Sequence, residues 1–216
     1  LALIPQSDAR VARIVAPTRH ELLPHPKLEN PLVDFEHLPA LAPWWAVDSV
    51  IYTLGTTMRK AGSQEAFRRV DHDYPLAVAQ LARQHGARAF ALNSVTVADP
   101  RSRFFYNRVK GEVEETIRQV GFPSLTIVRP ALIGGDRNEF RPAEFVAMRL
   151  LRLADPLLPH RYRVVPHDRV AGALLEAVIT AATGEHVVAS DTIVRGTKEM
   201  CAGNTVALAE TRNTPS

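Results

Sequence analysis

Cysteine is almost missing: Cys201 stands alone among 216 residues. A single thiol excludes an internal disulfide and suits a reducing compartment. No apolar run approaches the roughly 20 residues that a membrane-spanning helix needs, and no signal-peptide pattern is present, so a cytoplasmic location is expected. Charge of one sign is scarce as well. Lys+Arg 26 against Asp+Glu 23 leaves a net charge of +3, and the arginines form no block and do not interleave with aromatics. That argues against a nucleic-acid partner. The eight histidines show no metal-ligand spacing and the cysteine adds none, so no metal site is expected. Glycine is withheld from the opening of the chain: none precedes Gly55. Lysine occurs only at 27, 60, 110 and 198.

What is present suits one domain with a substantial core, since 46% of residues are apolar. Short apolar runs alternate with helical periodicity, which predicts an α/β fold with a doubly wound, mainly parallel sheet. Strands are expected over 12–16, 49–54, 87–94 and 124–128, with weaker candidates at 162–165 and 186–189. A helix is expected over 63–85, where Phe67, Val70, Tyr74, Val78 and Leu81 recur at steps of three and four. Another is expected over 104–120, with Val109, Val113, Ile117 and Val120 as its buried stripe and Gly121 as its stop. Further helices are expected near 143–153 and 167–182. Residues 1–195 form the predicted domain, and 196–216 read as a loose polar tail.

The richest segment runs ALNSVTVADPRSRFFYNRVKGEVE. Tyr106 and Lys110 lie four apart in a helical run, which brings them onto one face, beside the buried stripe and turned out of the core. An ammonium near a phenol stabilises the phenolate and lowers its pKa from about 10. Such a phenol can give or take the proton in a carbonyl/alcohol interconversion. Ser94, at the carboxyl end of the preceding strand, is placed to hydrogen-bond the same oxygen. A lone Tyr-x-x-x-Lys is only suggestive; its place after a strand, a serine and a loop gives it weight.

That arrangement resembles the short-chain dehydrogenase/reductases. The strings VDFE (33–36), LGTTMRKAGS (54–63), RVDHDYPLAVAQLAR (69–83), FYNRVKGEVE (105–114) and VRPALIGGDR (128–137) are similar to the atypical branch that contains the Tat-interacting oxidoreductase-like proteins. They occur in the right order across residues 1–195. The resemblance implies an NAD(P)-binding Rossmann-like fold, with Ser94, Tyr106 and Lys110 as catalytic residues.

Dinucleotide-binding sheets open with a strand and a glycine-rich turn whose N–H groups receive the pyrophosphate. On the family pattern, the first strand, that turn and most of the first helix are not in this sequence, so the domain is expected to be N-terminally truncated. The sequence is either a piece of a longer chain or a genuinely shortened protein; the consistency of the rest of the pattern favours the former. In either case, poorer cofactor binding is expected of this polypeptide. No acid ends the 12–16 strand, and Arg19 follows it. An arginine there accommodates the 2′-phosphate of NADP, whereas an acid would take the ribose of NAD; a solvated surface arginine is the plain alternative. The resemblance tilts the choice to NADP(H) over NAD. It also places Val33 and Asp34 beside the adenine, Leu54, Gly55 and Thr56 on the loop approaching the dinucleotide, Tyr106 and Lys110 at the nicotinamide riboside, and Pro130 and Leu132 on the wall beside the nicotinamide.

An NADP-dependent oxidoreductase acting on an unidentified small molecule is the leading expectation. A cofactor-sensing interaction protein without turnover, a truncated form unable to bind cofactor, and more weakly a sugar-nucleotide epimerase are its rivals. A homodimer is an open expectation, because helices of this class often pair. Asp71, His72 and Asp73 fall in a helical stretch and read as a solvated face. Arg101 and Arg103 read as a soluble loop.

Overall fold

The computed structural model describes residues 6–134 and 164–195. Within them the chain forms β1 (Ile14–Val15), β2 (Leu28–Glu29), a 3-10 turn (Pro43–Trp45), β3 (Ser49–Tyr52), α1 (Met58–Ala61), α2 (Gln64–Arg68), a π turn (Arg69–Asp73), α3 (Tyr74–Gln84) and β4 (Ala89–Asn93). There follow α4 (Phe105–Val120), β5 (Ser124–Arg129), β6 (Leu132–Gly134), β7 (Val164–Pro166), α5 (His167–Thr180), β8 (Gly184–Ala189) and α6 (Ser190–Arg195).

The central sheet is parallel throughout, in the order β3-β4-β5-β8. Parallel strands need crossover helices, and those helices cover both faces. Side chains alternate accordingly. Phe90, Leu92, Leu125 and Ile127 pack with Val78 and Ala82 of α3 and Val113 and Ile117 of α4. Ala91 and Val128 point the other way, onto Val170, Ala173 and Leu174 of α5. This is the expected doubly wound, Rossmann-like architecture.

β1 and β2 make a separate two-stranded parallel ribbon, and β6 and β7 another. Val15 of β1 and Val50 of β3 pack against the same apolar cluster. Each of their strands keeps one edge without a strand partner among the described residues.

The expected helix over 63–85 starts as anticipated, with Ser63 accepting the Ala66 N–H at 3.0 Å. It does not run unbroken. Pro75 has no N–H to give to the carbonyl of Asp71, and its ring crowds that carbonyl. The chain widens into the π turn just before it. That turn rotates Asp71 and His72 inward, so the expectation of a solvated face is corrected: both are buried, and only Asp73 is exposed. The strands β2 and β6 and the helices α1 and α6 fall where no element was expected. β2 and β6 are too short to carry a period. The helix expected near 143–153 and the tail after 196 lie outside the described residues. No helix among the described residues is long and apolar enough to cross a membrane.

Candidate functional site

Because the strands are parallel, β3, β4 and β5 release their chains at one edge of the central sheet, the edge where open α/β sheets receive ligands. The β4–α4–β5 crossover makes α4 run opposite to the strands, so its first turns sit at that edge. Tyr106 and Lys110 lie on those turns. Tyr106 is half-buried, with its ring 5.6 Å from that of Phe67. Lys110 is not turned outward as expected. It is buried, with Nζ 2.6 Å from Oδ1 of Asp71, which is itself 2% exposed. The contact is ionic and lacks the alignment of a hydrogen bond.

The second oxygen of Asp71 accepts the Thr56 N–H at 2.8 Å. Gly55 lies against the same carboxylate, and a Cβ on it would stand 3.3 Å from Oδ1. Asp71 therefore ties the Leu54–Gly55–Thr56 loop to Lys110. Tyr52, at the end of β3, is buried beside this group. Burial pushes its phenol pKa up and the Asp71 charge adds to the shift. Its hydroxyl has no hydrogen-bond partner among the described residues.

Ser94 is placed differently from Tyr106 and Lys110. Its Oγ donates to Oε1 of Glu114 at 2.5 Å, and both residues are buried. Nε of Arg129 donates to the same oxygen at 3.0 Å, and Nη2 of Arg129 binds the other. The bond to Glu114 raises the Arg129 pKa. This buried cluster ties the ends of β4 and β5 to the middle of α4. The loop from β4 to α4 lies directly on the helix. Asp99 N–H donates to the Asn107 carbonyl at 3.0 Å, and a Cβ on Gly111 would fall 2.1 Å from the Pro100 nitrogen.

The remaining candidates follow β1, β2 and β5. Val33 N–H donates to the Thr18 carbonyl at 2.9 Å, which extends the β1–β2 pairing and sets Arg19 beside Val33 and Asp34. Arg19 is exposed, and Val33 packs against the core. Asp34 caps its own turn: one oxygen accepts the Glu36 N–H at 3.0 Å and the other lies 2.9 Å from Nδ1 of His37. The His37 contact holds its carboxyl below the ordinary range. Pro130 is buried, its carbonyl accepts the Thr96 N–H at 3.0 Å, and Leu132 opens β6 opposite Val164. Arg101 and Arg103 are exposed.

Asp71, Thr96, Gly111 and Glu114 were not anticipated. Two of them carried a signal. A proline four residues after Asp71 inside a helical pattern marks a disrupted turn, and a glycine inside a helix marks close backbone approach.

The rat protein HTATIP2 is 38% identical over 155 residues, which is 71% of this chain and 63% of that protein. The mitochondrial protein fmp52 of Emericella nidulans is 47% identical over 97 residues, 45% of this chain and 42% of that protein. The chain belongs to the atypical short-chain dehydrogenase/reductases. No family model matches it. Among solved structures, MoeE5 in complex with UDP-glucose and NAD superposes with a TM-score of 0.63 at 16% identity, covering 85% of this chain and 72% of that one. RMD from Pseudomonas aeruginosa complexed with NADPH gives 0.53 at 17% identity, covering 77% and 69%. These likenesses bear on the fold. As an atypical short-chain dehydrogenase/reductase, the chain shares less than two thirds of the length of HTATIP2 and of fmp52. The cytoplasmic expectation is corrected by the fmp52 relatives, which are named mitochondrial in Emericella nidulans, Aspergillus niger and Aspergillus fumigatus. A lone thiol and the lack of a membrane-length run do not separate two reducing compartments, and targeting segments are read apart from the fold.

Proposed function

We propose that the chain is the core of an NAD(P)H-dependent oxidoreductase that interconverts a carbonyl and an alcohol. The observation that carries this reading is the buried Lys110, anchored at the carboxyl edge one helical turn from Tyr106. The edge fits a dinucleotide. Gly55 presents backbone without a side chain, and Thr56 and Lys110 are fixed by one carboxylate. Leu54, Gly55 and Thr56 would line the approach, Val33 and Asp34 would flank the adenine, and Pro130 and Leu132 would wall the nicotinamide. A bound nicotinamide dinucleotide supplies or accepts hydride at the substrate carbon.

Tyr106 gives its phenolic proton to the substrate oxygen as the carbonyl becomes an alcohol, and recovers it from solvent. In the reverse direction it takes that proton. Lys110 would hold the nicotinamide ribose and stabilise the phenolate electrostatically. Arg19 favours NADP(H) over NAD through a charge-assisted contact to the 2′-phosphate. The names of the fungal relatives make mitochondria the compartment in which to look for it first.

One observation favours a second reading, a dinucleotide-binding regulatory protein without turnover. The Asp71 carboxylate at 2.6 Å offsets the charge through which Lys110 would acidify Tyr106. A screen of aldehydes and ketones with NADPH separates the two. An oxidoreductase consumes NADPH with at least one carbonyl and loses that activity in Tyr106→Phe. A sensor gains thermal stability with NADPH yet turns over nothing.

A further inference from the structure

We infer that Thr96, rather than Ser94, supplies the hydroxyl that orients the substrate oxygen beside Tyr106. The inference rests on the oxidoreductase reading above and names a residue within that same site.

The Ser94 hydroxyl is committed elsewhere. It donates to the Glu114 carboxylate at 2.5 Å, with Ser94 3% exposed and Glu114 1%. A bond from a hydroxyl to a buried carboxylate is among the stronger hydrogen bonds of a protein. Arg129 binds both oxygens of that carboxylate.

Register places the alternative. Ser94 N–H donates to the Val128 carbonyl at 2.8 Å, and Thr96 N–H donates to the Pro130 carbonyl at 3.0 Å. The β4–β5 pairing thus continues to Thr96, three residues past the end of β4. Two extended residues return a side chain to the same face, about 6.6 Å nearer the carboxyl edge. α4 runs in the opposite direction, and Tyr106 is eight residues, about 12 Å, outward from Glu114 along it. Glu114 is one turn below Lys110 and two below Tyr106 on α4, so its carboxylate, and Ser94 with it, lie below the Tyr106–Lys110 pair. One pleat repeat further out brings Thr96 level with Lys110 and within about one helical turn of Tyr106.

Thr96 is half-buried, and its Oγ1 donates to the Arg129 carbonyl at 3.0 Å. Rotation about the Cβ–Oγ bond redirects that proton to an incoming carbonyl oxygen, and the lone pairs remain to receive an alcohol. The loop that follows is pinned to α4 at Asn107 and Gly111, which keeps Thr96 in place.

The test uses the full chain and four variants, Thr96→Val, Thr96→Ser, Ser94→Ala and Tyr106→Phe. Each is measured for NADPH affinity, kcat on the best carbonyl of a panel, and melting temperature. The inference predicts that Thr96→Val loses about 100-fold in kcat, as for removal of one oriented donor, with NADPH affinity and melting unchanged, and that Thr96→Ser restores the rate. Ser94→Ala melts at lower temperature and keeps its kcat below that temperature. If Ser94→Ala loses as much kcat as Tyr106→Phe while Thr96→Val retains it, the inference is overturned and the oxidoreductase reading stands. If Tyr106→Phe retains turnover, or the unaltered chain reduces no carbonyl, both are overturned.

Discussion

Lys110 Nζ stands 2.6 Å from Asp71 Oδ1 inside the protein, on the far side of a carboxylate whose other oxygen holds the Thr56 N–H at 2.8 Å. One carboxylate thereby joins the π turn, the loop after β3 and α4. Asp71→Ala leaves a buried ammonium without its counter-charge, and such losses cost about 3–5 kcal/mol. Urea denaturation is expected to show that loss. The double replacement Asp71→Ala with Lys110→Met, which removes both charges, recovers most of it. Equal destabilisation in the single and double variants would show that the pair is not coupled.

The Tyr52 hydroxyl is buried without a hydrogen-bond partner among the described residues, and burial raises its pKa. Tyr52→Phe removes an unsatisfied donor and is expected to stabilise the fold by about 1 kcal/mol. The sign of the pH effect follows from linkage. The unfolded phenol gives up its proton near 10 and the folded one only above that, so the unfolded state binds fewer protons in alkali. Stability is full below pH ~10 and falls as pH rises above it. Melting curves across that range should show a shallower alkaline decline for Tyr52→Phe than for the unaltered chain.

At Gly111 a Cβ would lie 2.1 Å from the Pro100 nitrogen and 2.4 Å from the Asp99 carbonyl carbon. Backbone cannot yield as the end of a side chain can. Gly111→Ala is therefore expected to destabilise by roughly 1–3 kcal/mol, the cost of overpacking, although alanine favours a helix. Thermal melting checks this; an increase in melting temperature would mean that the loop from β4 to α4 is not held against the helix.

Sequence periodicity located β3, β4, β5, β8, α4 and α5 within a few residues, because each is long enough or apolar enough to show its period. It also brought Tyr106 and Lys110 to one face of α4. What it missed depends on contacts between distant residues. The burial of Asp71 follows from the widened turn before Pro75, and the bond from Ser94 to Glu114 follows from the depth at which α4 crosses β4. Neither depth nor burial has a period. The charged spelling of Asp71, His72 and Asp73 pointed to solvent, whereas the π turn carries the first two inward. The compartment was read from composition, which does not encode it.

Arg19 leaves β1 beside Val33 and Asp34, exposed to solvent. Under the proposed NADP(H) preference, Arg19→Ala weakens NADPH binding about tenfold, the loss of one charge-assisted contact, and leaves NADH binding unchanged. Calorimetry with both nucleotides measures this; an equal loss for the two would remove Arg19 from the 2′-phosphate.

The central claim is that Tyr106, one helical turn from a buried Lys110, passes the proton of a carbonyl/alcohol interconversion. Its most direct test is NADPH consumption by the unaltered chain and by Tyr106→Phe, with the same carbonyl and NADPH at saturation. The account predicts that the phenylalanine variant binds NADPH as tightly and loses at least about 100-fold in kcat. Undiminished turnover in that variant would contradict it.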